Sequence, residues 1–251
     1  MKIATWNISS GVNTANYQGE LFDKQIEASA EDECLKQIAE LIVLNSIDVI
    51  ALQEVITTSS FAFMETLSKL TGLEHYETFE NSPGFLVKDS MFGVAVLSKY
   101  PLEVIKKEFF KNPNLTKTTE KGVYTTHDKA FMCVKVKAEK ELNIITTQFL
   151  PFHRFNADIL DFKDTFDDFQ EFIENNNVFV CGDFNVTQGN TKLVKLLDKI
   201  SQTHMLTFDE ITTTDGKRCD NIFVPNGTAV KGTYMETKIT PSDHYLLVIE
   251  I

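Results

Sequence analysis

The sequence has few cysteines, and their spacing excludes the common cysteine frameworks. Its four cysteines, Cys34, Cys133, Cys181 and Cys219, are far apart and form neither a CxxC pair nor a cluster with histidine. Three of them lie in apolar, strand-like surroundings, where a cysteine is usually a buried free thiol. We therefore expect free thiols rather than disulfides or zinc ligands.

Long apolar runs are also missing. No stretch approaches the roughly 20 apolar residues that a transmembrane helix needs. The segment from Met1 to Asn7 shows no charged-then-apolar leader of signal-peptide length. From these absences we expect a soluble, cytoplasmic protein without a membrane span.

Positive charge is scarce as well. The chain carries 24 Lys and Arg against 36 Asp and Glu, a formal net charge of −12. A protein that coats nucleic acid by bulk attraction needs Lys and Arg for the phosphates, so the composition argues against that class. The class of nucleases stays open, because their positive charge can be local or supplied by a bound metal ion.

What is present is typical of one globular domain. Apolar residues make up 43% of the 251 positions, charged residues 24%, and 20 Phe against one Trp indicate a phenylalanine-filled core. No repeat, low-complexity tract or Pro/Gly/Ser linker interrupts the chain, so we expect a single domain over 1–251. Single helices alternate with strands and hairpins, a mixture that favours a mixed-sheet α/β sandwich.

Apolar periodicity places the elements along the chain. It predicts helices over 32–44, 61–70, 159–173 and 193–200. It predicts strands over 2–8, 47–53, 92–97, 131–136, 142–148, 178–181, 221–224 and 245–251. We expect 101–110 to pair with 92–97 as a hairpin, and 111–129 to be a long loop that is either functional or mobile.

The most informative stretch covers 178–185, with the sequence Val-Phe-Val-Cys-Gly-Asp-Phe-Asn. A buried strand runs into Gly182, where the backbone is free to bend or to approach a ligand closely. It then presents Asp183 and Asn185, side chains that pack poorly and bind metal ions or phosphoryl oxygens well. In open α/β architectures, ligands bind at strand ends.

Four other strands start or stop in the same way, at a group able to bind metal or phosphate. The complete set is Asn7, Glu54, Asp183 with Asn185, Asp220, and Asp243 with His244. Each residue alone is common in turns and caps. Five such places in one chain are much harder to ascribe to turns.

Metal-assisted attack of water on a phosphate ester needs this set of groups. A hard cation such as Mg²⁺ prefers oxygen ligands, and we expect Glu54 to bind it with help from Asn7 and Asp243. Asp183 is our candidate to take the proton from water. Asn185 would hold the phosphate or the attacking water.

A histidine and a carboxylate complete the proposed chemistry. His244 needs an orienting carboxylate to fix its tautomer and favour its protonated form, and Asp220 on the neighbouring strand can supply it. An imidazolium at this place would stabilise the pentavalent species formed during attack on phosphorus.

The ordered motifs resemble those of the endonuclease/exonuclease/phosphatase superfamily, which has the DNase I-like fold. The motifs, from residue 3 to the C-terminus, are Thr5-Trp-Asn7, Leu52-Gln-Glu54, Gly182-Asp-Phe-Asn185, Arg218-Cys-Asp220-Asn-Ile-Phe-Val224 and Ser242-Asp-His244. The resemblance implies a four-layer α/β/β/α sandwich with two packed mixed sheets, dependence on Mg²⁺ or Mn²⁺, and hydrolysis of phosphodiesters or phosphomonoesters. It implies the same roles for the matching residues: Asn7 and Glu54 at the metal site, Asp183 and Asn185 on water and phosphate, Asp220 with His244, and Asp243 as a metal-proximal or orienting carboxylate.

One departure from the family pattern bears on substrate binding. Many members have a phosphate-binding histidine after the middle strand, whereas this chain has Gln148, which donates a hydrogen bond but carries no charge. Nearby, His153 and Arg154 offer a replacement cationic contact, with an ordinary surface loop as the equal alternative. The lysines at 111, 117, 121 and 129 are interrupted by acidic residues, so we expect a solvated loop there. The histidines at 75, 127 and 204 we expect to be structural or on the surface.

The sequence therefore specifies a reaction better than a substrate. The first hypothesis is a phosphodiesterase acting on nucleic acid, as a nuclease or DNA-repair enzyme. The second is a phosphatase or phospholipase-like hydrolase of a small or lipid phosphate, which an acidic chain without a basic stripe suits at least as well. The third is a catalytically silent binding domain. Substrate choice and oligomeric state are not readable from these patterns.

Overall fold

Two mixed β-sheets of six strands each pack face to face. The computed structural model describes residues 1–14, 33–120, 122–187 and 189–251, and all structural statements concern these ranges. The first residue of the predicted helix at 32–44 lies outside them, as does Lys121. Within these ranges, no helix combines the length and the hydropathy that a membrane-spanning segment requires.

The first sheet contains both ends of the chain. Its strands are β1 (Lys2–Asn7), β2 (Val49–Thr58), β3 (His75–Pro83), β4 (Ser90–Ser98), β13 (Gly232–Glu236) and β14 (Leu246–Glu250), in the order β13-β14-β1-β2-β4-β3. Only β1 and β2 pair in parallel. Helices α1 (Glu33–Leu44) and α2 (Phe63–Thr71) contribute buried apolar residues to the same core cluster as this sheet.

The second sheet carries most of the motif residues. Its strands are β5 (Leu102–Phe109), β8 (Ala130–Val136), β9 (Leu142–Gln148), β10 (Val178–Asp183), β11 (His204–Leu206) and β12 (Asp220–Pro225), in the order β11-β12-β10-β9-β8-β5. The helices α3 (Asp167–Glu174), α4 (Asn190–Leu196) and α5 (Ile200–Thr203) accompany it, together with 3-10 turns at Phe152–Phe155 and Ile159–Phe166. A separate hairpin, β6 (Thr116–Thr119) and β7 (Gly122–Thr125), belongs to neither sheet.

Three apolar clusters separate four layers of structure. One cluster joins α1 and α2 to the first sheet, one lies between the two sheets, and one joins the second sheet to its helices. The predicted four-layer α/β/β/α sandwich is therefore confirmed. All four cysteines are buried, and Cys133, Cys181 and Cys219 are free thiols, as expected.

Phenylalanine fills the core behind the second sheet. Phe149, which directly follows β9, stacks on Phe166 with ring centroids 4.3 Å apart and meets Phe184 edge-on at 5.0 Å. Both Phe149 and Phe184 are fully buried. Because Phe149 adjoins Gln148 and Phe184 adjoins Asp183, this packing fixes the ends of the two strands that carry the predicted site.

Three of the sequence predictions for local structure differ from the structure. Strand β5 pairs with β8 and not with β4, because β2 and β3 already occupy both edges of β4. The expected long loop at 111–129 contains the β6–β7 hairpin. The predicted helix over 159–173 is one α-helix, α3, preceded by a 3-10 segment that is broken at Phe162.

Gly182 allows two strands to approach closely. A Cβ atom at this position would lie 2.2 Å from the backbone oxygen of Thr147 in β9, so the close approach is to a strand rather than to a ligand. We expect Gly182→Ala to lower the free energy of unfolding by roughly 1–3 kcal/mol through overpacking. Urea denaturation measures this. Gly232→Ala, where nothing lies within 4 Å of the added Cβ, is the control, and equal effects at both glycines would contradict the explanation.

Candidate active site

A cleft of about 740 Å³ opens where the ends of both sheets meet. Six of the candidate site residues line it, although they are distant along the chain: Glu54, Gln148, Arg154, Asp183, Asn185 and His244. Glu54 comes from the first sheet, and Gln148 and Asp183 from the second. The strand-end pattern therefore brings these side chains into one cavity.

Glu54 lies in a β-bulge and not at the end of its strand. The register of β2 shifts between Gln53 and Val55, and the strand continues to Thr58. The backbone of Glu54 has a φ of 55°, an uncommon conformation for a residue with a side chain. A bulge aims a side chain in a direction that a regular strand does not allow. Backbone strain of this kind is frequent at functional sites.

The Asp183 carboxylate is buried and held by side-chain amides. Its Oδ2 accepts hydrogen bonds from Asn7 (3.1 Å), Gln148 (3.2 Å) and Asn185 (3.1 Å). Its Oδ1 accepts only the backbone N–H of Asn185 (3.0 Å) among the described residues. These contacts fix the orientation of the carboxylate and leave capacity on Oδ1 for another partner.

The amide of Asn185 has a defined orientation. Its Nδ2 donates to the backbone oxygen of Phe149 (3.0 Å) and to Asp183, two acceptors that require the nitrogen at this place. Both amide hydrogens are therefore engaged, and Oδ1 is the atom left to face a ligand. Of the two roles expected for Asn185, orienting a water molecule through this oxygen fits better than donating to a phosphate.

His244 and Asp220 form a buried pair. The Nδ1 of His244 lies 2.8 Å from Asp220 Oδ2, and Trp6 Nε1 donates to the backbone oxygen of His244 (3.0 Å). Burial alone would lower the pKa of His244. Attraction to Asp220, the hydrogen bond between them, and the carboxylates of Asp183 and Asp243 outweigh burial and raise this pKa to about 10. The protonated imidazolium form of the ring is therefore favoured in the folded protein.

Of the three residues expected to hold a metal ion, only Glu54 lines the cleft. Asn7 turns its Nδ2 to Asp183, and its Oδ1 accepts the backbone N–H of Ser9 (3.0 Å). Asp243 Oδ1 accepts the hydroxyl groups of Ser9 (2.5 Å) and Thr14 (2.9 Å). Asn7 and Asp243 are thus joined through Ser9 in a hydrogen-bonded group adjoining Asp183.

The carboxylate oxygens of Glu54 fit a hard divalent cation. Glu54 Oε1 accepts a hydrogen bond from Gln148 Nε2 (2.7 Å). Within the described ranges, no hydrogen bond reaches its Oε2. A carboxylate oxygen with free capacity, facing a polar cleft beside Asp183, is what Mg²⁺ or Mn²⁺ requires, since both bind through oxygen ligands.

A second group has the composition of a metal site. Single ligand atoms of Asp183, Asp220 and His244 all lie within 4.8 Å of one another. However, Nδ1 of His244 faces Asp220. The raised pKa keeps the ring protonated, so it offers no lone pair to a cation. We interpret this group as an ion pair next to Asp183.

Gln148 makes contacts that the amino-acid sequence did not predict. It was expected to donate to substrate, but its Nε2 donates to both Glu54 and Asp183. Its Oε1 accepts from the ammonium group of Lys129. Lys129 was expected on a solvated loop and is buried instead, so that prediction is wrong.

His153 and Arg154 have different surroundings. Arg154 lines the cleft, and its backbone oxygen accepts from Lys117 Nζ (3.0 Å) on the hairpin. His153 lines a separate cavity of about 300 Å³. Burial, followed by repulsion from Arg154 and Lys217, lowers the pKa of His153, so its ring is neutral at pH 7. Of the two residues expected to offer a cationic contact, Arg154 is the one that lines the cleft.

Aromatic side chains form one wall of the cleft, a position that the sequence did not predict for them. Phe85 stacks on His127 with ring centroids 6.1 Å apart and planes inclined by 22°, and Phe92 meets His127 edge-on at 6.0 Å. Tyr124 of the hairpin and Phe155 also line the cleft. Nothing in the local sequence separates these rings from core residues, since only the fold brings them beside Glu54.

Comparisons with known proteins agree with this geometry. A model of the endonuclease/exonuclease/phosphatase family matches residues 4–244. A sequence comparison with curated proteins gives no match.

Solved structures share the fold at low identity. An endonuclease/exonuclease/phosphatase from Beutenbergia cavernae aligns with a TM-score of 0.70 at 15% identity, over 99% of this chain and 70% of its own. The endonuclease domain of TRAS1, a telomere-specific non-LTR retrotransposon, gives 0.57 at 12%, over 99% and 96%. The mannosyl-6-phosphatase Bt3783 of Bacteroides thetaiotaomicron gives 0.58 at 15%, over 100% and 98%.

Proposed function

The chain belongs to the endonuclease/exonuclease/phosphatase family of phosphoester hydrolases, and on that premise we propose that it is a divalent-metal-dependent phosphodiesterase acting on short or single-stranded nucleic acid. One observation carries the reaction: Glu54, Asp183, Asn185 and His244 line a single cleft. They supply a ligand for a hard cation, a carboxylate base, a water-orienting amide and an imidazolium.

In the proposed mechanism, each side chain has one task. Asp183 takes a proton from the attacking water, and Asn185 Oδ1 orients that water. The imidazolium of His244, held by Asp220, donates to a phosphoryl oxygen as negative charge accumulates there. Glu54 would hold a Mg²⁺ or Mn²⁺ ion, which would supply polarisation of the phosphoryl group and a positive charge to offset the same developing charge.

The walls of the cleft support the proposed substrate class. Stacking of bases on aromatic side chains is worth about 1–3 kcal/mol per base and tolerates any sequence. Phe85, His127 and Tyr124 offer such surfaces beside the reaction site. Lys117 and Arg154 add cationic groups for a flanking phosphate. The net charge of −12 argues against long duplex DNA as the substrate.

The second candidate function is hydrolysis of a small phosphate monoester. The same cleft, of about 740 Å³, has the size of a small-molecule site. One structural relative is named a mannosyl-6-phosphatase. A sugar phosphate has no flat ring to stack on the aromatic wall, and for that reason we rank this function second.

A substrate panel tests the proposal. Single-stranded oligonucleotides, duplex DNA, nucleoside and sugar monophosphates and a bis-aryl phosphodiester are each incubated with Mg²⁺, Mn²⁺ or EDTA. We expect metal-dependent cleavage of oligonucleotides that EDTA abolishes. Release of inorganic phosphate from monoesters without oligonucleotide cleavage would favour the second function, and hydrolysis of no ester with either metal would contradict both.

We expect Glu54→Gln to weaken divalent metal binding. Removing a residue that hydrogen-bonds to a metal ligand typically lowers metal affinity by about 10- to 100-fold. Removing the charge of the ligand Glu54 itself should lower the affinity at least as much. Calorimetric titration with Mn²⁺ measures this without substrate. Glu120→Gln, at an exposed carboxylate on the hairpin that also lines the cleft, is the control. Equal affinity of Glu54→Gln and the native protein would show that the cation binds elsewhere.

A further inference from the structure

Lys129 is a cationic side chain buried at the inner wall of the cleft. Only 5% of the residue is exposed, although it lines the cavity. Its backbone oxygen accepts the N–H of Phe110 (2.9 Å), which holds the residue at the start of β8. Its Nζ lies 4.4 Å from the centre of the Phe92 ring.

The ammonium group of Lys129 determines which way the Gln148 amide points. Lys129 Nζ only donates hydrogen bonds, and it donates to Gln148 Oε1. The amide nitrogen of Gln148 therefore faces the opposite way and donates to Glu54 Oε1 and Asp183 Oδ2. With the amide reversed, an oxygen would face both carboxylates, and a nitrogen would face the ammonium group.

This arrangement couples two carboxylates that belong to different sheets. Glu54 is in β2 of the first sheet, and Asp183 is in β10 of the second. Gln148 Nε2 donates a hydrogen bond to each of them, at 2.7 Å to Glu54 Oε1 and at 3.2 Å to Asp183 Oδ2. We propose that Lys129 is a positioning residue: through Gln148 it sets the orientation of the metal-binding and proton-accepting carboxylates together. The proposal rests on the function proposed above.

A purely structural role explains the burial of Lys129 poorly. Placing an ammonium group in the interior carries a desolvation penalty of several kcal/mol that close partners only partly offset. Burial lowers the pKa of Lys129 to about 8 despite attraction to Glu54 and Asp183. An apolar side chain would suit the contact with Phe92 better. A buried charge that lowers the stability of the fold is retained where it orders a reactive site. The burial of Lys129 therefore indicates a functional requirement.

A double-mutant cycle tests the proposal. The variants are Lys129→Met, which keeps the length of the side chain without a donor, Gln148→Leu, and both together. The readouts are kcat and KM on the best ester of the panel, Mn²⁺ affinity by calorimetry without substrate, and the melting temperature. Lys111→Met, on an exposed lysine paired with Asp164, is the control.

We expect Lys129→Met to lower kcat by about 10- to 100-fold and to weaken Mn²⁺ binding, with the melting temperature unchanged or raised. In the Gln148→Leu background, Lys129→Met should lower kcat by less than about a further twofold, because the effect of Lys129 passes through Gln148. If Lys129→Met does not fold, Lys129→Leu takes its place in the cycle.

Two results would overturn the role of Lys129 while leaving the proposed function intact. One is native kcat and Mn²⁺ affinity in Lys129→Met. The other is an equal loss in the native and Gln148→Leu backgrounds, which would mean direct contact of Lys129 with substrate. A native protein that binds no Mn²⁺ and hydrolyses no ester would instead contradict the proposed function, and with it this role.

Discussion

Replacing Asp183 with asparagine is expected to lower kcat by about 10²- to 10⁴-fold, the range for loss of a general base. The change removes the negative charge and one acceptor while it keeps the side-chain volume. Asp183 Oδ2 now accepts from three amide groups, and an amide nitrogen at that place would face three donors. Initial rates on the best ester of the panel, at saturating Mg²⁺, measure the effect.

The control for Asp183 is an exposed aspartate away from the cleft. Asp209→Asn removes a carboxylate whose partner, Arg218, is also exposed, so turnover should stay at the native value. Circular dichroism establishes that Asp183→Asn is folded. A folded Asp183→Asn protein that turns over at the native rate would remove Asp183 from the role of base.

Replacing His244 with glutamine is expected to lower kcat by about 10²- to 10³-fold. That is the loss found when one preorganised donor to a developing negative charge is removed. The imidazolium lies beside Asp183 in the cleft, and Asp220 holds its Nδ1 side at 2.8 Å. His75→Gln, at a partly exposed histidine, is the control. Unchanged turnover in His244→Gln would mean that this histidine does not act in the transition state.

The charge on His244 also predicts how stability depends on pH. Its folded-state pKa of about 10 lies above the ordinary value of 6.5, so the folded protein holds the proton more tightly than the unfolded chain. The resulting stabilisation is fully present below pH 6.5 and is lost as pH rises towards 10. In EDTA, urea denaturation should show a larger loss of stability between pH 6.5 and 10 in the native protein than in His244→Gln, where only other groups, such as the buried thiols, still lose stability in this range. An equal slope in both proteins would contradict the raised pKa.

The sequence predicted the parts of the site that depend on local patterns. Short apolar runs placed the strands, and Asp183 and Asn185, which follow one of them, line the cleft as expected. Ligands gather at strand ends because parallel strands end on the same edge of a sheet, and this rule needs no knowledge of the sheet order. The need of His244 for an orienting carboxylate led to Asp220 as its partner, and the family motifs implied the same pair.

Features that depend on distant pairing were not predictable. Periodicity cannot tell that β4 is paired on both edges, so β5 was assigned to the wrong neighbour. Nor can it show that the β2 strand continues past Glu54 through a bulge. Pairing partners and bulges are set by packing between sheets, which the sequence of one strand does not contain.

Lys129 illustrates the same limit at the site itself. In sequence it is one of four lysines in a polar segment interrupted by acidic residues, a pattern typical of a solvated loop. It is buried because β8 begins at the next residue and carries it into the interior. Because Gln148 carries no charge, the sequence indicated the nearby His153 and Arg154 as the source of a cationic contact. The cation in contact with Gln148 is Lys129, the residue just before β8.

The most direct test is the anomalous diffraction of crystals grown or soaked with Mn²⁺. Our account predicts one strong anomalous peak in the cleft within bonding distance, about 2.0–2.6 Å, of a Glu54 carboxylate oxygen. The same peak should be absent in Glu54→Gln crystals treated in the same way. A peak bound by Asp220 and His244 without Glu54, or Mn²⁺ found only outside the cleft, would contradict the account.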